Sequence, residues 1–136
     1  MVKIVMRLLI LSLFVLVMSA SYGASIAAGS KIYVEPGPFG TYIISAIQKK
    51  QVPVKIVSEK ESADYIINGT SESQKAGWAK TIMTGQSGSD EEASINVTDV
   101  KTKEIIWGYN VHKKNSVRGK QSAAEACAKH LKEIIK

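Results

Sequence analysis

Apolar and polar positions recur along this chain with two different periods, and the places where the period changes mark its elements. Lys31 to Glu35 (KIYVE) alternates and carries β-branched and aromatic residues, which predicts a strand. Pro36-Gly37-Pro38 stops it. From Thr41 to Gln51 the period lengthens. Tyr42, Ile43, Ala46 and Ile47 fall on one side of a helix, and Gln48, Lys49 and Lys50 on the other. Pro53 ends that helix, and Val54 to Ser58 is a second strand with Val54 and Ile56 on one face. Ala63 to Thr70 (ADYIINGT) predicts a third strand. Gly77 to Thr84 predicts a fourth, with Trp78, Lys80 and Ile82 on one side. Gly85 to Glu92 (GQSGSDEE) is polar and turn-rich, so it is expected as an exposed loop.

The clearest pair follows. Ile95 and Val97 alternate with Ser94, Asn96 and Thr98 within Ala93 to Val100. Ile105, Trp107, Tyr109 and Val111 alternate with Ile106, Gly108, Asn110 and His112 within Glu104 to His112. Lys101-Thr102-Lys103 is the short polar connection between them. The pattern is a β-hairpin with one apolar face, on which Trp107 and Tyr109 would anchor the core. A second helix is expected from Ala123 to Ile135, with Ala124, Cys127, Leu131, Ile134 and Ile135 as its apolar stripe. Ser122 and Glu125 have the spacing of a capping box, and Lys129, Lys132 and Lys136 suit the negative end of the helix dipole. The order strand, helix, four or five strands, helix predicts an α+β fold. It is a two-layer sandwich, with a mostly antiparallel five- to six-stranded sheet and two helices on one face. The first strand-helix-strand unit could pair in parallel.

The amino terminus does not fit that domain. Lys3 and Arg7 precede an apolar run, Leu8 to Met18, which gives way to Ser19, Ala20, Ser21, Gly23 and Ala24. That order is the signature of a secretory signal peptide, and the run is short for a membrane span, which takes about 20 residues. Cleavage is expected after Gly23, with Ala28 as the other position. Residues 24–30 would then be a flexible leader and residues 31–136 a single domain, in a periplasmic or secreted protein. Membrane contact would be limited to an uncleaved segment.

Charge changes with that cut. The full chain of 136 residues carries +6. Without residues 1–23 it carries +4, because Lys3 and Arg7 leave and no acid does. Residues 101–136 hold nine Lys or Arg against three Glu, while residues 24–100 hold seven Lys against nine acids. The excess is therefore local. Cys127 is the only cysteine, which excludes an internal disulfide and a cysteine-type zinc site.

Two stretches carry a likeness. Ala63 to Gly69 reads Ala-Asp-Tyr, apolar, apolar, polar, Gly, and Val97 to Trp107 reads Val-x-Asp-x-Lys-Thr-x-Glu, apolar, apolar, Trp. With the initial strand and helix and the closing helix, the chain resembles a small α/β domain. That domain is shared by CsgG-type curli-secretion proteins, the periplasmic activators of penicillin-binding proteins and the amino-terminal domain of TolB. The resemblance implies a non-enzymatic envelope module that binds another protein. It does not carry over the lipidated cysteine of the first two families, since no cysteine follows the apolar run.

Candidate chemistry concentrates at the basic end. His112, Lys113, Lys114, Arg118 and Lys120 fall between the last strand and the last helix, where helix N–H groups would add to their field. This loop, 112–120, is the candidate anion or partner site, against the plain alternative of a solvated basic loop. Its ligand would be an envelope protein, or alternatively a polyanion or lipid headgroup. Gly119-Lys120-Gln121-Ser122 fails as a P-loop, because position 114 is Lys and Gln121 separates the Gly-Lys pair from Ser122. His112 and His130 lie eighteen positions apart without metal spacing. His130 reads as a helix-flank residue and Cys127 as a buried small hydrophobe. Asp90, Glu91 and Glu92 read as a solvated loop, too short a run for calcium. Asn68-Gly69-Thr70 and Asn96-Val97-Thr98 match the glycosylation sequon but fall in expected strands. No nucleophile–base pair can be named, so a hydrolase using His112 is disfavoured and no enzyme, cofactor or metal is expected. Nucleic acid is not expected either, since the aromatic face of the hairpin is needed for the core.

Overall fold

The computed structural model describes residues 25–75, Met83 and 89–136. The amino-terminal segment, and most of the strand expected over 77–84 with Trp78, lie outside them. Five strands and two helices are described: β1 (Lys31–Val34), α1 (Gly40–Lys49), β2 (Lys55–Val57), β3 (Tyr65–Lys75), β4 (Ser89–Asp99), β5 (Ile105–Ser116) and α2 (Gly119–Glu133). The fold is the expected α+β arrangement, with a mixed and open sheet in the order β2-β1-β3-β4-β5. β1 is parallel to both β2 and β3, while the longer ladders β3–β4 and β4–β5 are antiparallel.

One face of this sheet is apolar and both helices pack on it. Ile32 and Val34 of β1, Ile67 of β3, and Ala93, Ile95 and Val97 of β4 are buried with Ile43, Ala46 and Ile47 of α1. Ala123, Ala124, Cys127, Ala128 and Leu131 of α2 complete the core. Their helical spacing puts these side chains, mostly small, on the stripe of α2 that is buried in the core. α1 ends by a left-handed residue, Gln51 at φ 53°, whose N–H reaches the Gln48 carbonyl at 3.1 Å.

The two motif stretches are tied together by backbone geometry. The Asp64 carboxylate accepts the Lys31 N–H at 2.9 Å, its own N–H donates to the Lys31 carbonyl at 2.8 Å, and its carbonyl accepts the Val100 N–H at 3.1 Å. In the β4–β5 turn the Asp99 carboxylate accepts the N–H groups of Lys101 and Thr102 at 2.8 and 3.1 Å. Lys103 takes φ 64° to close the turn. These residues shape the sheet and its turn.

Several expectations are corrected. Within the stretch expected as a flexible leader, Ile26 is fully buried and pairs with Ile135 near the carboxyl end. β5 runs to Ser116, so His112, Lys113 and Lys114 lie in a strand and not in a loop. β4 begins at Ser89, so Asp90, Glu91 and Glu92 are strand residues. α2 begins at Gly119 with Arg118 as its cap residue and no side-chain cap bond, so Ser122 and Glu125 form no capping box. Trp107 and Tyr109 point to the helical face but are half-buried, because β5 is the last of the described strands. They stack at 6.0 Å between ring centroids, and Tyr109 stacks in turn on His130 of α2 at 4.3 Å.

Candidate functional site

The helix-facing row of the long hairpin stays in register past its last apolar pair. Val97 pairs with Trp107, Ile95 with Tyr109 and Ala93 with Val111. The next pair in that row is Glu91 with Lys113, and Ser73 of β3 faces Glu91 from the other side. Paired residues share a face, so a carboxylate continues the core surface. Glu91 is 1% exposed. The Ser73 hydroxyl donates to its Oε2, and among the described residues its Oε1 has no hydrogen-bond partner.

The first residue of α2 lies against this carboxylate. A Cβ on Gly119 would come within 3.0 Å of the Glu91 Cβ and 3.4 Å of Oε2. Glycine therefore lets the helix start directly over Glu91. The partial positive charge of a helix amino end favours a carboxylate there. A carboxylate of the chain itself thus lies beside this helix end.

A cavity of about 270 Å³ opens beside Glu91. Tyr42 of α1, Ser73, Arg118, Lys120 and Gln121 line it. The Arg118 Nε donates to the Gln121 side-chain carbonyl at 3.2 Å, and the Gln121 amide donates to Glu125 Oε1 at 3.1 Å. Lys49 Nζ donates to the same Glu125 oxygen at 2.6 Å. That hydrogen bond, with the one from Gln121 and the charge of Lys49 and Lys50, holds the Glu125 carboxyl below its ordinary range despite partial burial. A second cavity of about 200 Å³ lies over this network and shares Tyr42 and Gln121 with the first.

The five basic residues do not converge. Arg118 and Lys120 border the cavity beside Glu91. Lys113 is directed to the helical face by its pairing with Glu91. His112 pairs with Glu92, which pairs with Glu72, on the opposite, uncovered face. Those three line a small separate cavity with Asp90. Lys114 is exposed on β5. Glu91, Ser73 and Tyr42 were not legible as site residues. A lone glutamate in an acidic run carries no sign of burial until its strand register is known.

Cys127 is fully buried, and burial pushes its thiol from an ordinary 9.0 up to about 11. A thiol so protonated is a packing group and not a nucleophile at neutral pH. Among the described residues no group of three His, Cys, Asp or Glu is placed to hold a metal ion, and no helix is long and apolar enough to cross a membrane.

No protein-family model and no curated protein sequence matches the chain. Solved structures do. PelC from Paraburkholderia phytofirmans, a dodecamer, superposes with a TM-score of 0.56 at 14% identity, over 85% of this chain and 96% of PelC. TolB from Acinetobacter baumannii superposes with a TM-score of 0.50 at 12% identity, over 82% of this chain and 30% of TolB. At these identities the likeness is one of fold. The expected TolB likeness is seen at that level, while the likeness to CsgG-type and activator proteins rests on the motif residues alone.

Proposed function

We propose that this chain is an exported, non-catalytic module of the bacterial envelope that works by binding another protein. The observation that carries this reading is the uncovered side of the sheet. Both helices sit on one face, and among the described residues nothing covers the other. Its centre is polar but uncharged. Asn68, Asn96 and Gly108 form one row across three strands, and Thr70, Ser94 and Asn110 form the next. Such side chains lose less on desolvation than ions do. At the margin, β5 offers twelve residues whose outer edge pairs with no described strand. A free strand edge presents backbone N–H and C=O groups to another chain.

The fold shared with PelC and with a stretch of TolB supports the envelope reading, as does the charged, apolar, small-residue order at the amino terminus. Because PelC is a dodecamer, a second copy of this chain is the first partner to look for. Binding of a polyanion or lipid headgroup through 112–120 has less support. Its residues point to different faces, and Glu91 already occupies the helix end. The test is a photo-crosslinking residue placed at Asn110 in cells making the full chain. A discrete adduct in the envelope fraction is expected. A chain that stays in the cytosol, or that gives no adduct from either Asn110 or Asn96, overturns the reading.

A further inference from the structure

We propose that the outer edge of β5 pairs with the same edge of a second copy, antiparallel and about a twofold axis at Tyr109. This rests on the partner-binding reading above and names the partner. Backbone geometry fixes what the edge offers. The Asp99 N–H and C=O both bond toward β5, to the Glu104 carbonyl and the Lys103 N–H. These groups alternate in direction along an antiparallel strand, so Val97, Ile95 and Ala93 also bond toward β5. Their partners Trp107, Tyr109 and Val111 therefore turn their backbone groups inward. Gly108, Asn110 and His112 turn theirs outward, where no described strand takes them. This stretch lies toward the turn end of the ladder, away from Lys75 and Ser89.

Monomeric proteins guard a free edge with charge, proline or a short strand. From Ile105 to Val111 this long edge has neither charge nor proline. Charges of opposite sign stand at its two ends instead, Glu104 before it and Lys114 after it. Both are exposed, and neither is in an ion pair among the described residues. Antiparallel pairing of identical strands brings the start of each beside the end of the other. With Tyr109 on the axis, Glu104 stands opposite Lys114 of the partner subunit, once at each end. A parallel copy would set like charges together. The side chains agree with this register. Trp107 and Tyr109 stack at 6.0 Å on the helical face and stay half-buried. On the outer edge they hold the positions without backbone bonds, where side chains on paired strands come closest. Tyr109 would meet its own counterpart and Trp107 would meet Val111 of the partner subunit, which covers the aromatic surface that β5 leaves open. The two five-stranded sheets would become one, with all helices on the same face.

The experiment is sedimentation equilibrium of the full chain, with charge reversals at the two ends of the edge. A dimer with a micromolar dissociation constant is expected. Glu104→Lys and Lys114→Glu should each weaken it about tenfold, since each reversal acts twice in the dimer. The double reversal should restore the parental constant, which a loss of folding could not do. Asn110→Pro removes an outward N–H and no bond of the ladder, and should leave a folded monomer. If that variant folds poorly, the reversals decide alone. A chain that is monomeric up to about 1 mM overturns the proposal, as do single reversals without effect or a double reversal that does not recover. If the pure chain is monomeric while Asn110 still gives an adduct in cells, the edge binds a different protein, so this inference fails and the reading it rests on stands.

Discussion

Gly69 shows how one absent side chain sets a packing distance. It sits on β3 opposite Ile95, on the face that meets α1. A Cβ there would fall on Ile43 Cδ1, with Phe39 Cδ1 at 3.1 Å and Ile95 Cγ2 at 3.2 Å. All three neighbours are buried, so none can swing away. Gly69→Ala should therefore destabilise the fold by about 1–3 kcal/mol through overpacking. Gly108, on the uncovered face, is the control. Its Cβ would meet only the Asn96 side-chain oxygen at 2.9 Å and a backbone oxygen at 3.6 Å, and Asn96 is exposed and free to turn. Gly108→Ala should be close to neutral. Urea denaturation of both variants checks the contrast, and equal midpoints would contradict it.

At the scale of elements, the two helices are joined by charge as well as by packing. Glu125 of α2 accepts Lys49 of α1 at 2.6 Å and lies 3.8 Å from Lys50. The Lys49 side chain is 54% exposed, so solvent screens the pair and its worth is below about 1 kcal/mol. The carboxyl is held below its ordinary 4.5 in the folded chain, chiefly by the Lys49 hydrogen bond. Such a group stabilises the fold above its unfolded value and loses that contribution as pH falls through the folded one. Glu125→Gln should cost up to about 1 kcal/mol at neutral pH, with the difference from the parent closing well below pH 4.5. Urea midpoints for both chains at the two pH values test this, and an unchanged gap in acid would show that the charge is not the cause.

The same scale explains what the pattern of residues revealed and what it hid. Alternation located β4 and β5 as far as Ala93 and Val111, because each helix-facing residue up to there is apolar. Beyond them the same face carries Glu91 and Lys113, and the apolar signal stops. The strands do not stop, since backbone pairing needs no apolar side chain. A reading by hydrophobicity therefore converts the end of a hairpin into a loop, and with it conceals the buried carboxylate. The parallel pairing of β1 with β3 is hidden for a related reason: register between distant strands leaves no mark in either one.

At the scale of the whole molecule, the segment before β1 is tied to the carboxyl end. Ile26 is fully buried, its N–H donates to the Ile134 carbonyl at 2.9 Å, and its carbonyl accepts the Lys136 N–H at 2.9 Å. Ala28 N–H donates to the Lys136 carbonyl at 2.9 Å. The short segment before β1 thus acts as a cover strand over the end of α2, and its one large apolar residue belongs to the core. This separates the two processing positions read from the sequence. A chain beginning at Ala24 keeps Ile26 and all three hydrogen bonds. A chain beginning at Gly29 loses a buried isoleucine, worth about 2–5 kcal/mol when truncated to alanine, together with those bonds. Its melting temperature should fall by roughly 10 °C or more. Thermal melts of the two chains decide the matter. Equal melting temperatures would show that Ile26 is only resting on the domain, whereas the expected gap shows that the residues before Gly29 belong to the folded unit.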